Sequence, residues 1–477
     1  MGQFLKISDH MFENINIYCS NDDRAWLEWF LQVLSSRMIT PLLVAMDIVY
    51  GDEHKSDLPS DRRRLTVWIP KKPRTPVEME KVFDRFCEDD WIICRDKDTV
   101  LDIDIVGFTL WMLNREEEFL QKNDPACWDK WGRFKLEKTL AYKKGLWQQP
   151  VVDILFLKLI ETFETVTALD LLNEAPWGKK TKAVWLTHDV DKLTGKYALP
   201  LRVLGWIGLA TLALIKRNKN GFVKWLYKCK NWLLTDEDPT YESILKLMHR
   251  NAQLNAKGTF FFMSLRNGVS IKEGIRYPIG HRKLLEIFKR ITESGCSIGL
   301  HPGLNRSKDI EYLTTQKANL QHILKNEINL VRNHYLRVTF PDAWAMEENA
   351  GFKISSNAGW PSHDGFRAGT CWPYHPFDII NNQPFEILEV PLVYMDNKID
   401  DEKSMVRDAL VLADEVAAVH GILTVNFHST LFDKFEMSNR GNAYNELLEI
   451  CWRQDWLFIE DRDILKLRID AKINSHF

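Results

Sequence analysis

The sequence predicts an α/β protein: an irregular parallel (β/α)7-type barrel over residues 179–477, preceded by a smaller α/β N-terminal domain over residues 1–178. Three observations carry this. The chain has 477 residues, more than one ordinary hydrophobic core organises, so two domains are expected. A polar segment with Pro176 and Gly178, NEAPWGKKTK over 173–182, has the composition of a linker. Beyond it, short apolar runs alternate with amphipathic helical stretches, the pattern of βα units on a parallel sheet.

In the first part, the apolar run Leu42–Asp47 and the strand-like Leu65–Ile69 precede a helical pattern over 106–120. There Phe108, Trp111, Met112 and Phe119 fall at helical spacing, and Glu116, Glu117 and Glu118 are expected on a solvated face. In the second part, strands are expected at 183–188, 258–263, 296–301, 329–336, 385–394, 421–427 and 456–461. Between them, Leu284, Leu285, Ile287, Phe288 and Ile291 mark a helix over 281–294 that Gly295 closes. About seven such units favour closure into a barrel over an open sheet.

Hydrophobic residues at 45% and charged residues at 27% are ordinary for a globular protein. Most of the 18 tryptophans are therefore expected in packing roles. Sixty-three basic against 66 acidic residues leave a net charge of −3, which gives no overall field for nucleic acid. Eight scattered cysteines without a C-x-x-C pair suit reduced thiols, and the first residues lack the pattern of a secretory signal, so a cytoplasmic location is expected. The apolar run LRVLGWIGLATLALIKR, 201–217, falls short of the ~20 residues that span a bilayer. A buried or interfacial helix is expected there, with peripheral contact at the inner membrane face as the alternative.

Chemistry in a parallel barrel gathers at the C-terminal ends of the strands, where the loops converge on one rim. The first strand of the second part ends in His188, Asp189 and Asp191; the third ends in His301, with Asn305 shortly after. The fourth carries Arg332, His334, Tyr335 and Arg337, and His428 follows the strand before the last. The DVDKL stretch also compares with the D-x-D-x-T of aspartyl-phosphate phosphatases, but Leu193 stands where Thr or Val belongs. A glycosyltransferase D-x-D should follow a nucleotide-binding half, and no glycine-rich phosphate turn precedes it.

From about 183 to 465 the chain resembles the polysaccharide deacetylases with a NodB-type domain, in the group whose first motif is THDVD. The stretches that carry the resemblance are LTHDVD (186–191), GTFFFM (258–263), SIGLHPGLN (297–305), VRNHYLR (331–337), GFRAGTCWPYHPFD (365–378), LEVPLVYMD (388–396) and VNFHST (425–430). Upstream, 102–119 and 131–153 resemble the N-terminal domain that accompanies this group. The resemblance implies removal of an N- or O-acetyl group with a divalent metal, commonly zinc. An amide is a poor electrophile, so such chemistry needs a Lewis acid, a base for water and an acid for the departing amine.

Carried over by position, Asp189 matches the base, Arg332 the arginine that orients it, and His428 the general acid. Asp191, His301 and Asn305 match the metal positions, and Tyr335 a residue shaping the oxyanion site. Two departures stand out: Asp189-Val190-Asp191 replaces adjacent aspartates, and His301-Pro-Gly-Leu-Asn305 replaces His-x-x-x-His. An amide oxygen is a weaker zinc ligand than imidazole, so His188 or His334 could stand in for Asn305. Asp364, Arg367, Trp372 and Tyr374, in the loop 362–376, are expected to form a substrate-facing wall, with Cys371 packed and His363 and His375 at the surface. The expected activity is deacetylation of an N-acetylated sugar in a bacterial surface polysaccharide or its precursor. The alternatives are hydrolysis of a non-sugar amide, or glycan binding by a weakened barrel.

Overall fold

The computed structural model describes residues 15–38, 46–51, 64–86, 88, 91–95, 98–178, 180–193, 200–234, 238–265, 269–270, 274–275, 277–303, 309–396, 401–433 and 440–466. In the N-terminal part, strands β1 (Ile15–Tyr18), β2 (Met46–Tyr50), β3 (Leu65–Ile69), β4 (Ile92–Arg95) and β5 (Asp98–Leu101) form one sheet in the order β1-β2-β3-β5-β4. All its pairs are parallel except β4 with β5. Helices α1 (Asn21–Ser35), α2 (Pro76–Phe86), α3 (Ile105–Leu113), α4 (Glu116–Leu120), α5 (Leu140–Lys143) and α6 (Val151–Thr167) accompany it. The single helix expected over 106–120 is two. Arg115 adopts a left-handed φ of 56° between α3 and α4, which ends one helix and starts the next.

The second part begins with β6 (Ala183–Val190), followed by α7 (Pro200–Ile215), α8 (Lys219–Leu234), α9 (Pro239–Gln253), β7 (Gly258–Phe262) and the hairpin β8 (Val269–Ser270) with β9 (Gly274–Ile275). Next come α10 (Arg282–Glu293), β10 (Ser297–Leu300), α11 (Ile310–Leu324), β11 (Leu330–Val331), α12 (Asp342–Asn349), β12 (Ile354–Ser355) and the hairpin β13 (Phe377–Asp378) with β14 (Gln383–Pro384). The chain continues with β15 (Leu388–Glu389), β16 (Tyr394–Met395), α13 (Glu402–Ala418), β17 (Ile422–Asn426), α14 (Arg440–Arg453), β18 (Leu457–Phe458) and α15 (Asp461–Lys466).

The large sheet is parallel throughout, in the order β15-β12-β11-β10-β7-β6-β17-β16, with β18 beside the start of β6. Its two edges, β15 and β16, are consecutive stretches of one segment. Val390 N–H donates to Ser355 on one side, and Val393 N–H donates to Thr424 on the other. Pro391 sits between them and has no N–H to place. One extended segment thus pairs leftward with its first half and rightward with its second, and the sheet curls into a (β/α) barrel of the expected seven-strand kind. The core is a parallel-sheet core: every residue of β6 and β7 is buried.

The two parts meet over the loop 362–378, which does not form an open wall. Both oxygens of Glu118 hold Arg367, at 2.9 and 2.6 Å, and Arg115 Nε adds a third bond at 2.9 Å. Burial opposes the charge on Glu118, yet the two guanidiniums hold its carboxyl below the usual carboxylate range. Tyr374 Oη donates to the Leu113 carbonyl (2.8 Å), and Trp372 Nε1 to the Val419 carbonyl (2.9 Å). Asp364 is buried beside the backbone of Met395, whose N–H it accepts at 3.4 Å. Gly365, at φ 128°, lies so close to Trp147 that a Cβ would sit 2.4 Å from its carbonyl oxygen. Asp364, Arg367, Trp372 and Tyr374 are thus buried in packing, partly within the barrel and partly between the two parts, which corrects the expectation that they form a substrate-facing wall, while Ser362 is exposed and His363 half-exposed. His375 is buried as well, while Cys371 packs against Asp153 as a buried thiol.

Glu116, Glu117 and Glu118 are not a solvated face. Glu116 pairs with Arg74 at 2.9 Å, and Glu117 accepts the Leu140 N–H at 2.8 Å. Glu116 and Glu117 are covered by the N-terminal part itself and Glu118 by Arg367 of the second part, contacts that periodicity within one segment does not encode.

Two outcomes follow for stability. Arg367→Met leaves Glu118 buried with only Arg115 and should cost about 3–5 kcal/mol in denaturant unfolding of the full chain. Glu347, in α12, has its carboxyl raised to about 8 by burial and by Glu389. The folded state therefore binds that proton more tightly than the unfolded chain, so stability should fall as pH rises over roughly pH 5 to 8. Glu347→Gln should flatten that slope; an unchanged slope in unfolding at stepped pH would refute the assignment.

Candidate metal centre and active site

Four strands deliver ionisable groups to one end of the barrel. Side chains alternate along β6, so Thr187 and Asp189 point inward while His188 points out. His188 packs on Phe260 and Tyr444, its Nδ1 lies 3.0 Å from the Phe427 carbonyl, and burial lowers its pKa to about 4. It is a neutral packing residue on the far side of the strand and does not reach the centre. The end of β6 is held by Tyr277, whose hydroxyl donates to the Val190 carbonyl (2.5 Å) and accepts the Met263 N–H (2.7 Å).

Arg332, just past β11, is fully buried across the barrel interior. It donates to Thr187 Oγ1 (2.6 Å), the Ser356 carbonyl (3.1 Å), Ser356 Oγ (2.8 Å) and Asp189 Oδ1 (3.3 Å), and its guanidinium lies 4.5 Å from the Phe261 ring centre. The other oxygen of Asp189 accepts from Asn426 Nδ2 at 2.8 Å. Burial opposes the charge on Asp189, but the nearby His301, Arg332 and His428 lower its pKa.

His301 follows β10, and its Nδ1 lies 2.7 Å from the Arg332 carbonyl. That contact requires the proton on Nδ1, so in the neutral ring Nε2 presents a lone pair. Nε2 is buried without a well-formed hydrogen bond, 3.3 Å from Asp191 Oδ1. His334, in the turn after β11, brings its Nε2 to 3.6 Å from the same oxygen. Donor atoms of Asp191, His301 and His334 all lie within 4.8 Å of one another. Imidazole lone pairs facing a carboxylate repel unless a proton or a cation stands between them, and two nitrogens with one oxygen are donors that suit a divalent transition metal. The residues present therefore fit a metal ion. Asn305, expected as the third ligand, lies outside the described residues; His334 occupies the third position among those described.

His428, past β17, places Nδ1 2.5 Å from Asp396 Oδ1 and accepts support from its own N–H, which donates to Asp396 Oδ2 at 3.1 Å. Its Nε2 is 3.8 Å from Asp191 Oδ2. Burial disfavours the imidazolium, but Asp396, with Asp191 and Asp189 adding to it, raises the pKa to about 9. Asp396 closes the LEVPLVYMD stretch, and its strand-end position was the available signal for a role. Tyr335, partly exposed at φ 62°, lies between His334, at 4.0 Å, and Trp131 of the N-terminal part, at 5.4 Å, both stacked. Trp131 had no local pattern to mark it, since only the assembly of the two parts brings it to the rim.

Residues 42–168 match the model of a family of unknown function, DUF7033, and no curated protein matches the chain. Among solved structures, the chain is similar to a candidate polysaccharide deacetylase from Mycobacterium smegmatis, at 14% identity over 61% of this chain and 91% of that one, with a TM-score of 0.40. A second such candidate, from Pseudomonas aeruginosa PAO1, is 11% identical over 60% of this chain and 90% of its own, with a TM-score of 0.38. A family 4 acetyl xylan esterase from Clostridium thermocellum, in complex with cobalt, is 13% identical over 49% of this chain and 89% of its own, with a TM-score of 0.29. The reading of the centre rests on its own geometry.

Divalent-ion titration of the full chain checks the ligand set. His334→Ala should weaken binding by more than about tenfold, because outer-shell losses alone cost that much. His188→Ala should leave metal affinity unchanged and lower stability instead. Equal effects of the two substitutions would overturn the set.

Proposed function

We propose that the barrel is a metal-dependent deacetylase acting on an N-acetylated sugar of a bacterial surface polysaccharide or its precursor. The observation that supports it most is the meeting, at one strand end, of the Asp191, His301 and His334 donors with a clamped carboxylate and a carboxylate-backed imidazole. A divalent cation, zinc by donor type, would be held by those three residues and would polarise the acetyl carbonyl. Asp189 takes a proton from the attacking water, with Arg332 and Asn426 fixing its two oxygens. Arg332 is a positioning residue: it touches the base, and its carbonyl fixes the His301 tautomer. His428 protonates the nitrogen as the C–N bond breaks, releasing acetate and the free amine; Asp396 orients its ring and keeps it charged.

Trp131, 39% exposed and backed by the stacked ring of Tyr335, offers an aromatic surface for a sugar ring at the rim. That surface takes the place of the 362–376 loop as the candidate substrate wall. It also favours a sugar over a small non-sugar amide. His334 supplies a third donor, which weakens the reading of the barrel as a catalytically weakened glycan binder.

Acetate release from N-acetylated glucosamine oligomers, with and without chelator, tests the reading. The metal-loaded chain should release acetate, chelation should stop it, and Asp189→Asn and His428→Gln should each lower kcat by about 10²–10⁴-fold. Turnover of simple amides but not of sugars would replace the substrate class. Binding of oligomers with no acetate released from any substrate would sink the hydrolase.

A further inference from the structure

Helices α7 and α8 pack on each other as a hairpin inserted between β6, which bears Asp189 and Asp191 at its end, and α9. Their contact has its own small core of Val203, Trp206 and Cys229, separate from the barrel core. In α7 the buried positions 203, 206, 210 and 213 form one stripe against α8. The rest of the helix should then be polar if it faced water. Instead Leu204 (66% exposed), Ile207, Leu209, Leu212, Leu214 and Ile215 (73% exposed) cover it, with no charged side chain from 203 to 215. On α8, Val223, Leu226, Leu233 and Leu234 (74% exposed) continue the apolar surface. An exposed apolar surface of this kind on a charged, globular chain marks an interaction site.

The charge around it names the occupant. From Lys192 to Thr235 the sequence has nine basic residues and no acidic one, although the whole chain carries −3. Lys216, Arg217 and Lys219 surround the turn between the helices. A second copy docking through the same face would set like charges against each other, whereas anionic lipid headgroups complement them. At 16 residues, α7 is roughly 24 Å long, and no helix among the described residues is long and apolar enough to cross a membrane. We infer that the α7–α8 hairpin is a peripheral membrane anchor that lies in the headgroup region of an anionic bilayer. It opens from the strand that ends in the candidate centre, so docking would hold that rim beside the lipid surface.

This docking stands apart from the chemistry of the centre and is read without turnover. The full chain is floated with vesicles of phosphatidylglycerol and phosphatidylcholine in equal parts, and with phosphatidylcholine alone. The native chain should float with the anionic vesicles at least tenfold more than with the neutral ones, and less so in high salt. Two variants carry the test: Leu204→Ser with Ile207→Ser and Ile215→Ser, and Lys216→Gln with Arg217→Gln and Lys219→Gln. Each should lose flotation while keeping the native unfolding temperature and metal affinity. The inference is overturned if the native chain stays with the unbound fraction, if the serine variant floats equally, or if the native chain is a dimer that the serine variant converts to monomer.

Discussion

A single buried cation organises the barrel. Arg332 has no exposed surface, and Asp189 is the carboxylate it reaches inside the barrel, so the acid must be ionised and fixed for the arginine to be tolerated there. The same side chain bonds Thr187 on β6 and Ser356 beside β12, strands on opposite sides of β7, β10 and β11. Its own carbonyl turns His301 so that Nε2 looks toward Asp191. The electrostatic need of one guanidinium thereby sets the position of a candidate base, the tautomer of a candidate ligand and the spacing of distant strands.

Much of this was legible from short runs and their ends. Strands β7, β10 and β17 fall inside the apolar runs that announce them, β6 runs two residues past its own, and Asp189, Asp191, His301, Arg332 and His428 meet at one end of the barrel. Alternation along β6 sets His188 opposite Asp189, and the expectation that His188 could stand in for Asn305 left that out of account. The two-residue strand β12 was missed because a period of two cannot show in so short a stretch. The run 385–394, expected as one strand, is instead a segment that changes pairing partner midway.

What local sequence did not carry was the contact between the two parts. The glutamate triplet reads as a solvated face and Arg367 as part of a substrate wall, yet Glu118 and Arg367, 249 residues apart, satisfy each other where both are buried. The aromatic loop 362–376 reads as a sugar wall, yet its tyrosine and tryptophan donate to buried carbonyls. In exchange, the N-terminal part lends Trp131 to the rim. Roles of this kind depend on partners far away in sequence, and no window on one segment contains them.

The switch at Pro391 has a geometric consequence. Because the ring is shut by a single covalent run, the residue count from Val390 to Asp396 sets the offset between its pairing on the β12 side and its pairing on the β17 side. Side-chain direction reverses with every residue added or removed in an extended chain. A one-residue indel in that run would turn Asp396 outward and leave the imidazole of His428 without its anchor, so this short stretch acts as the gauge against which the rest of the rim is set.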